Sequence, residues 1–367
     1  MANRIFLGKT LSVLIAVMFI IILFAGCSSL GTANINIKNS DFGSSVQIFS
    51  NSTTESIKDN ILPVNLPGSG TANRPIAVMV ENSFAARPQS GLILADLVYE
   101  VVDEYGITRF VAIFSSNEAP VVGPVRSARP YYAEIARAFD PIYAFFGTYP
   151  ECYGVIEKLG MYTLSAMTDR SGNSSITGQA PYWRDWSRSS IQEHTAFMSI
   201  SKLKQKAAQL GYPLQSDGIP FPYKSDPPLE ARGGVTNIHI DFSTHAYAPQ
   251  GFDILYVYDR GSNSYLRFMG GSPHKDYDTG HQITAKNVIV MVSDIMGPLD
   301  KWGHMSVRTT GSGTAFIFQD GNAIQGSWER GNVFAPFIYR DGSGKQVSFT
   351  GGSTWVAIVQ GPEKVSF

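Results

Sequence analysis

The sequence predicts an α+β fold in which a mixed α/β domain at residues 73–215 precedes a smaller, mostly antiparallel β domain at residues 235–367. Three observations predict it. In the first part, apolar runs typical of buried strands alternate with helical patterns. In the second part, short strands alternate with glycine-containing turns, and no long helical period occurs. Between them, residues 216–234 contain four prolines and end in Gly233-Gly234, which indicates a linker at a domain boundary.

Residues 1–27 have the pattern of a bacterial lipoprotein signal. Arg4 and Lys9 precede an apolar run at residues 11–25, and Gly26-Cys27 follows it. The alternative is an uncleaved transmembrane helix, but the apolar run is shorter than the ~20 residues that such a helix needs. We therefore expect cleavage before Cys27, a lipid on its sulfur and a location on the outer face of the cytoplasmic membrane.

The segment between the signal and the folded part has the composition of a tether. Residues 28–72 are rich in Ser, Asn, Thr and Gly, with scattered Ile and Pro. Such a composition cannot bury enough apolar surface to order itself. We expect a flexible tether that holds the folded part near the membrane surface.

The individual elements follow from local periodicity and from the residues that begin helices and turns. In the first part we expect strands at residues 76–80, 97–102, 108–114 and 142–146 and helices at residues 151–159, at residues 201–210 and from Pro130 onward. In the second part we expect strands at residues 237–242, 254–259, 265–269, 287–292, 315–318, 323–328 and 354–359. The strands at 97–102 and 108–114 should form a hairpin, because Glu104-Tyr105-Gly106 between them is typical of a tight turn.

Composition and missing motifs exclude several classes of function. The 367 residues carry a formal net charge of −1, which is unlike a nucleic-acid-binding surface. With Cys27 lipidated, Cys152 has no partner for a disulfide, and it is expected to be a small core residue. The sequence has no phosphate-binding glycine loop, hydrolase nucleophile elbow or zinc-protease motif, so no cofactor is expected. The loop at residues 274–281 holds two histidines and two aspartates, but a polar hairpin tip explains it better than a metal site.

Between Asn73 and Ser190 the basic residues are almost all arginine. Lys158 is the single lysine there, against nine arginines: Arg74, Arg87, Arg109, Arg126, Arg129, Arg137, Arg170, Arg184 and Arg188. A guanidinium group can hold a carboxylate or phosphate with two hydrogen bonds. The same stretch contains twelve acidic residues, so internal salt bridges are the expected role for most of these arginines.

Arg126 and Arg129 are different because they flank the start of the helix that Pro130 opens. The amino end of a helix already carries positive potential, so two cations there require an anion. That anion is either a carboxylate of the domain, from Glu81, Glu100, Asp103 or Glu104, or a phosphate or carboxylate of a ligand. Arg109, on the neighbouring strand, is a third candidate donor.

A second candidate site is the segment Tyr182-Trp183-Arg184-Asp185-Trp186-Ser187-Arg188. Exposed indole rings stack on sugar rings, while Arg184, Asp185 and Arg188 offer hydrogen bonds to hydroxyl groups. The segment therefore predicts a glycan contact. The alternative is that Trp183 and Trp186 pack in the core or at a domain interface.

Several segments carry a resemblance to a known family. They are Arg74–Asn82, Ala86–Leu92, Ala95–Glu100, Gly106–Phe110 and Gly123–Arg129 in the first part and Pro273–Asp276, Thr284–Val290, Gly311–Gly313 and Gly326–Trp328 in the second. Together they resemble the YerB-type lipoproteins of Gram-positive bacteria over about residues 73–367. The resemblance implies a two-domain, membrane-anchored extracytoplasmic protein, and it implies no reaction because the domains of that family have no known function. One departure is Thr195, since the family tends to have Asn after the residue that corresponds to His194.

Two classes of function follow. The first is a lipoprotein that binds an envelope glycan, a lipid-linked phosphate or an envelope protein through its arginine-rich domain. The second is a transferase or hydrolase that acts on a phosphate-linked envelope polymer. No catalytic nucleophile or acid/base pair is visible in the sequence, which favours binding. A deep pocket that combines Arg109, Arg126 and Arg129 with carboxylates would favour catalysis, whereas a shallow arginine surface would favour binding.

Overall fold

The structure is a computed structural model that describes residues 72–167, 181–217, 219–242 and 251–367. The lipidation site predicted at Cys27, nearly all of the predicted tether and Arg170 lie outside the described residues. The α+β prediction is confirmed, since the described residues form a large mixed sheet, smaller antiparallel sheets and few helices.

The helices begin at, or one residue before, the positions that the sequence predicts. The α-helices within the described residues are α1 (Pro130–Arg137), α2 (Pro150–Lys158) and α3 (Ile200–Gln209). Short 3-10 helices lie at Phe84–Ala86, Leu92–Leu94, Glu104–Gly106, Gln192–His194, Leu229–Ala231 and Pro362–Lys364. Proline occupies the first position of both α1 and α2, where its missing N–H leaves no hydrogen bond unmade.

Most of the described chain is strand. In chain order the strands are β1 (Ala72–Asn73), β2 (Ile76–Glu81), β3 (Leu97–Val102), β4 (Thr108–Phe114), β5 (Ile142–Phe145), β6 (Tyr162–Ser165), β7 (Tyr182–Arg184), β8 (Ala196–Met198), β9 (Gln215–Ser216), β10 (Tyr223–Lys224), β11 (Asn237–Asp241), β12 (Asp253–Asp259), β13 (Ser264–Met269), β14 (Ser272–Pro273), β15 (Thr284–Ala285), β16 (Asn287–Val292), β17 (Ile295–Met296), β18 (Ser306–Val307), β19 (Gly311–Gln319), β20 (Asn322–Arg330), β21 (Ile338–Asp341), β22 (Phe349–Thr350), β23 (Thr354–Val359) and β24 (Val365–Ser366). The predicted strands at 97–102, 108–114, 287–292 and 354–359 have the observed bounds. The predicted hairpin of β3 and β4 is confirmed by their antiparallel pairing.

One ten-stranded sheet joins strands from both predicted parts, in the order β21-β20-β19-β16-β23-β3-β4-β2-β5-β6. Strand β23 lies between β16 and β3 and is parallel to both. A strand from the end of the chain thus completes the sheet that the first part begins. The segment boundaries drawn from composition stay a prediction, because a local pattern shows that a strand is buried but not which strand lies beside it.

The core has two layers, one on each face of the large sheet. On one face, alternate residues of β2, β3 and β4 pack against the six-stranded sheet of β11–β15 and β24 and against α3. On the other face, the intervening residues pack against α1 and α2. Both faces are therefore covered, which explains why β2, β3 and β4 are apolar runs without polar alternation.

Two further findings concern the helices and the cysteine within the described residues. Within the described ranges, no helix combines the length and apolarity that crossing a bilayer requires. Cys152 is a buried core residue on α2, as the sequence predicts, and burial raises the pKa of its thiol to about 11. The thiol is therefore almost entirely protonated at neutral pH, and it is a packing residue.

The two sheets are linked by an ion pair that is almost fully excluded from water. Arg267 on β13 donates to Glu100 on β3 at 2.6 Å, and the side chains of both residues are at most 2% exposed. Glu100 also accepts a hydrogen bond from Thr108 at 2.7 Å, and Arg267 donates to Tyr256 and to His274. Such a pair is stable only while every partner is present, because each charge alone is costly to bury.

We expect Arg267→Met to lower the free energy of unfolding by about 3–5 kcal/mol, because it leaves the Glu100 carboxylate buried without its counterion. Urea unfolding of the full chain measures the loss. In the double variant Glu100→Gln/Arg267→Met most of the stability should return, since no unpaired charge remains. The control is Arg340→Gln, which removes a surface pair with Glu329 and should cost at most about 1 kcal/mol. Equal losses of unfolding free energy in Arg267→Met and Arg340→Gln would contradict the assignment of Arg267 and Glu100 as a buried ion pair that stabilises the fold.

Candidate functional site

Arg109, Arg126 and Arg129 lie together in one cleft, which has a volume of about 650 Å³. The strands of the first part position them. Arg109 on β4 lies directly opposite Glu81 on β2 in the antiparallel ladder. Arg126 and Arg129 precede α1, and the backbone N–H of Arg126 donates to Met79 of β2. The other lining residues are Glu81, Ser83, Glu104, Tyr105, Ile107, Tyr149, His194, Trp302 and His304.

Each of the three arginines lies beside a carboxylate of the domain, and Arg109 and Arg129 each lie within 4 Å of more than one. Arg109 is buried, and its guanidinium lies 2.5 Å from Asp103, 3.5 Å from Glu81 and 3.7 Å from Glu104. Arg129 forms a close ion pair with Glu104 and lies 3.5 Å from Asp103. For Arg129, and for Arg126 through Glu81, the domain supplies an anion, which is one of the two alternatives that the sequence leaves open.

The environment shifts the pKa values of the carboxyl groups in opposite directions. Burial alone would raise the pKa of Asp103, but the guanidinium groups of Arg109 and Arg129 lower it below its ordinary value. Burial together with the neighbouring charge of Asp103 raises the pKa of Glu104. The pKa of Glu81 is lowered, because Arg109 and Arg126 outweigh the effect of its burial. Glu104 is therefore the carboxyl of the cleft that accepts a proton most readily.

Arg126 differs from the other two because most of its donors are not engaged. Its Nε lies 2.8 Å from Glu81, while its two terminal nitrogens have no hydrogen-bond or ion-pair partner among the described residues. The side chain is 28% exposed in the cleft. Burial and the charge of Arg109 lower the pKa of Arg126. An anion that enters the cleft would relieve this repulsion and find two free N–H-bearing nitrogens.

Aromatic side chains that the sequence did not single out line the same cleft. Tyr105 is half exposed and has a φ of 58°, in the left-handed region that side-chain-bearing residues rarely adopt. Trp302 is 63% exposed. The ring of Tyr149 lies 4.4 Å from that of His304, centre to centre, and is tilted by 32° against it. Strain at an exposed aromatic residue favours a functional role over a packing role.

His304 is oriented by an acid. Its Nδ1 lies 2.7 Å from Asp300, and its Nε2 lies 3.9 Å from Glu104. Trp302 and His304 come from the loop between β17 and β18, in the second half of the chain. Sequence reasoning missed them because nothing local shows that this loop returns to β4. The Lys301-Trp302 pair, in a segment that Gly297-Pro298 and Gly303 mark as a loop, is the signal that could have singled it out.

The segment that the sequence predicts to contact a glycan, residues 182–188, does not line the cleft that contains Arg126. Trp186 is exposed, while Trp183 is half-buried beneath Lys202, whose Nζ lies 5.4 Å from its ring. Arg184 stacks on Trp186 at 5.8 Å and on Phe146 at 5.0 Å. One indole is thus free for a ligand. The glycan contact stays a prediction.

The polar residues of this segment are largely occupied by the protein itself. Arg184 donates to Thr195 at 2.9 Å, and Asp185 accepts two hydrogen bonds from Ser187. Arg188 donates to the carbonyl of Pro88 and to the hydroxyl of Ser90. The polar groups of residues 184, 185 and 188 are therefore engaged in contacts within the protein. The terminal nitrogens of Arg126, by contrast, are open to the cleft.

The histidine-containing loop at residues 274–281 contacts the rest of the protein through His274. Within the ranges that the structure describes, no cluster of three His, Cys, Asp or Glu side chains could hold an ion. His274 is buried, with Arg267 at 3.0 Å from its Nδ1 and Gln89 at 2.9 Å from its Nε2. Burial and the charges of Arg267 and Arg87 lower the pKa of His274 well below its ordinary value. Both ring nitrogens of His274 thus form hydrogen bonds within the protein, one with Arg267 and one with Gln89.

Comparisons with known proteins agree with the resemblance seen in the sequence. Residues 65–213 match the N-terminal domain, and residues 239–356 the C-terminal domain, of the family described as protein of unknown function DUF3048. The chain is 30% identical over 308 residues to the protein named "Putative lipoprotein YerB" of Bacillus subtilis strain 168, covering 84% of this chain and 87% of that protein. The crystal structure of the YerB protein from Bacillus subtilis matches with a TM-score of 0.69 at 29% identity, covering 81% of this chain and 94% of that one.

We expect Arg129→Gln and Arg126→Gln to differ in stability. Removing Arg129 deprives Glu104 of its closest counterion and should lower the free energy of unfolding by about 3–5 kcal/mol. Removing Arg126 should cost about 1 kcal/mol or less. The reason is that Glu81 keeps Arg109 and two backbone N–H donors, those of Asn82 and Ser83, each at 3.0 Å.

Denaturant unfolding of both variants, without ligand, separates the two roles. A large loss in both variants would mean that Arg126 also serves only as an internal counterion, and it would remove the candidate anion site. A small loss in both would contradict the ion pairing of Arg129 and Glu104.

Proposed function

The chain belongs to the DUF3048 family, and from that premise we propose that it is a lipid-anchored protein on the outer face of the cytoplasmic membrane that binds an anionic glycan of the cell envelope. The cleft with Arg126 is the proposed binding site. The single observation that carries the proposal is that Arg126 keeps two open donor nitrogens in a cleft whose other cations are already neutralised.

The anchor is proposed at Cys27. The support is the signal pattern at residues 1–27 together with the printed name of the Bacillus subtilis relative, which describes a lipoprotein. A protein held in this position meets peptidoglycan, other envelope polymers and their lipid-linked precursors. These molecules combine sugar rings with carboxylate or phosphate groups.

The composition of the cleft matches such a ligand better than it matches a small inorganic anion. Arg126 would hold the charged group. Tyr105 and Trp302 offer exposed ring faces on which sugar rings stack, while Glu81 and Glu104 accept hydrogen bonds from hydroxyl groups. Because its other two arginines are paired with carboxylates, the cleft would favour a sugar with a single charged group over a polyanion.

The second candidate function is transfer or hydrolysis at a phosphate-linked envelope polymer. The observation that favours it is that two carboxyl groups of one cleft, Glu81 and Glu104, have pKa values shifted in opposite directions, as an acid and a base require. His304, oriented by Asp300, is a further candidate base. Binding is the better-supported function, because Glu81 and Glu104 are both held by arginines. The hydroxyl of Ser83 in the lining has no hydrogen bond to a base among the described residues that would activate it as a nucleophile.

We expect Cys27→Ala to abolish lipid attachment, because the thiol is the only group in the predicted signal that can take the diacylglycerol. Metabolic labelling with a fatty-acid probe and the size of the precursor are the measurements. The variant should be unlabelled and should keep its signal. The matched control is Cys152→Ala, which should be labelled and processed normally. Labelling of the Cys27→Ala variant would contradict the proposed anchor.

We expect Arg126→Gln to weaken binding of a soluble muropeptide or a polyprenyl-phosphate-linked muropeptide by about 10- to 150-fold. That range corresponds to one charge-assisted hydrogen bond of about 1.5–3 kcal/mol. Calorimetric titration of the full chain in detergent measures the affinity. The matched control is Arg340→Gln, outside the cleft, which should bind as the unchanged protein does.

Two other outcomes of this titration are informative. Equal affinities of the Arg126→Gln variant and the unchanged protein would contradict the proposed site. Conversion of the muropeptide during the titration, detected by mass spectrometry, would favour the second candidate function. In that case Glu104→Gln should stop the conversion.

A further inference from the structure

The segment Met296–Trp302, which runs from the last residue of β17 into the loop before β18, exposes three large apolar side chains within its seven residues. Met296 is 60%, Leu299 58% and Trp302 63% exposed. An isolated exposed apolar residue needs no explanation, but three in one short loop form a surface that water solvates poorly.

The loop is ordered, so its apolar side chains are held out by the structure. Asp300 accepts hydrogen bonds from the backbone N–H of Trp302 at 2.9 Å and of His304 at 3.3 Å, and its other oxygen lies 2.7 Å from the ring of His304. The N–H of Leu299 donates to the carbonyl of His304 at 2.8 Å. The backbone that carries Trp302 is therefore held in place on the surface.

The composition of the loop is that of a membrane interface. The Lys301 ammonium lies 5.0 Å from the centre of the Trp302 ring. Tryptophan prefers the headgroup region of a bilayer because one side of its ring is apolar and its N–H is polar, and a neighbouring lysine is attracted to anionic lipids. Leu299 and Met296 add apolar surface that could enter the acyl boundary.

We propose that the loop Met296–Trp302 contacts the bilayer surface, so that the cleft opens at the membrane and takes a lipid-linked anionic glycan. This inference rests on the proposed function, because it names the source of the ligand for the same cleft. Trp302 belongs both to the exposed surface and to the lining of the cleft that contains Arg126. A lipid-linked glycan whose chain stays in the bilayer would reach the cleft without leaving the membrane.

The predicted anchor makes this contact geometrically accessible. The sequence predicts a tether of residues 28–72 after the lipidated Cys27. A flexible chain of that length has a root-mean-square span of about 37 Å. The folded part is then confined to within about its own diameter of the bilayer, so even a weak contact through one loop would be populated.

The test is quenching of tryptophan fluorescence by lipids that carry bromine near the start of the acyl chain. The full protein, purified from membranes, is reconstituted into vesicles of phosphatidylglycerol and phosphatidylethanolamine. All five tryptophans of the chain lie at residue 183 or later, so the emission reports only on the folded part. We expect brominated vesicles to quench the emission relative to unbrominated vesicles.

Trp302→Phe should abolish most of this quenching, whereas Trp186→Phe should retain it, because Trp186 is 57% exposed but lies outside the loop. Both side chains are exposed, so both variants should keep the thermal transition of the unchanged protein. Absence of quenching in the unchanged protein, or equal quenching in the Trp302→Phe variant, would overturn the membrane contact. Either result would leave the binding at Arg126 unaffected, because the titration in detergent measures that separately.

Discussion

The buried ion pair of Arg267 and Glu100 is the interaction on which the arrangement of this protein depends. It places one charge from each of two facing sheets in a region without water, where the attraction compensates the desolvation only if both groups are fully hydrogen-bonded. Arg267 donates to Nδ1 of His274, so Nε2 of His274 carries the proton and donates to Gln89. Gln89 in turn donates to Asn82 and to the carbonyl of Glu81. The polar chain thus runs from the second sheet to the end of β2, where the cleft begins.

The consequence for the cleft is that its charged groups are held in place by contacts within the protein. Glu81 is held on one side by this chain and on the other by Arg109 and Arg126. Asp103 and Glu104, at the turn between β3 and β4, take up the remaining charge of Arg109 and all that of Arg129. With three carboxylates and three guanidinium groups the cleft is close to neutral. The carboxylate partners are, however, unevenly shared among the arginines. Arg126 has one partner and free donors, whereas Arg109 has three partners and is buried.

The sequence predicts the elements well and their partners poorly, for a physical reason. Apolar runs such as 97–102 and 354–359 mark buried strands because burial on both faces leaves no room for polar residues. The run itself carries no information on which strand is its neighbour, so the insertion of β23 beside β3 was not foreseen. The three arginines could be brought together from sequence because Arg126 and Arg129 lie at a predictable helix start and Arg109 on the hairpin strand before it. Trp302 and His304 could not, because they reach the cleft through a loop about two hundred residues further along the chain.

The same long-range pairing changes how the parts of the chain relate to function. The two family matches divide the sequence at residues 213 and 239, yet the cleft contains Glu81 to His194 from the first match and Trp302 and His304 from the second. Strand β23 lies at the middle of the shared sheet and completes the hydrogen bonding of β3, the strand that carries Glu100. The first match alone would leave β3 with an unpaired edge and Glu100 without its counterion. The arginine-rich part therefore depends on the second part both for its stability and for Trp302 and His304 in its cleft, so the proposed binding site draws on both matched parts of the chain.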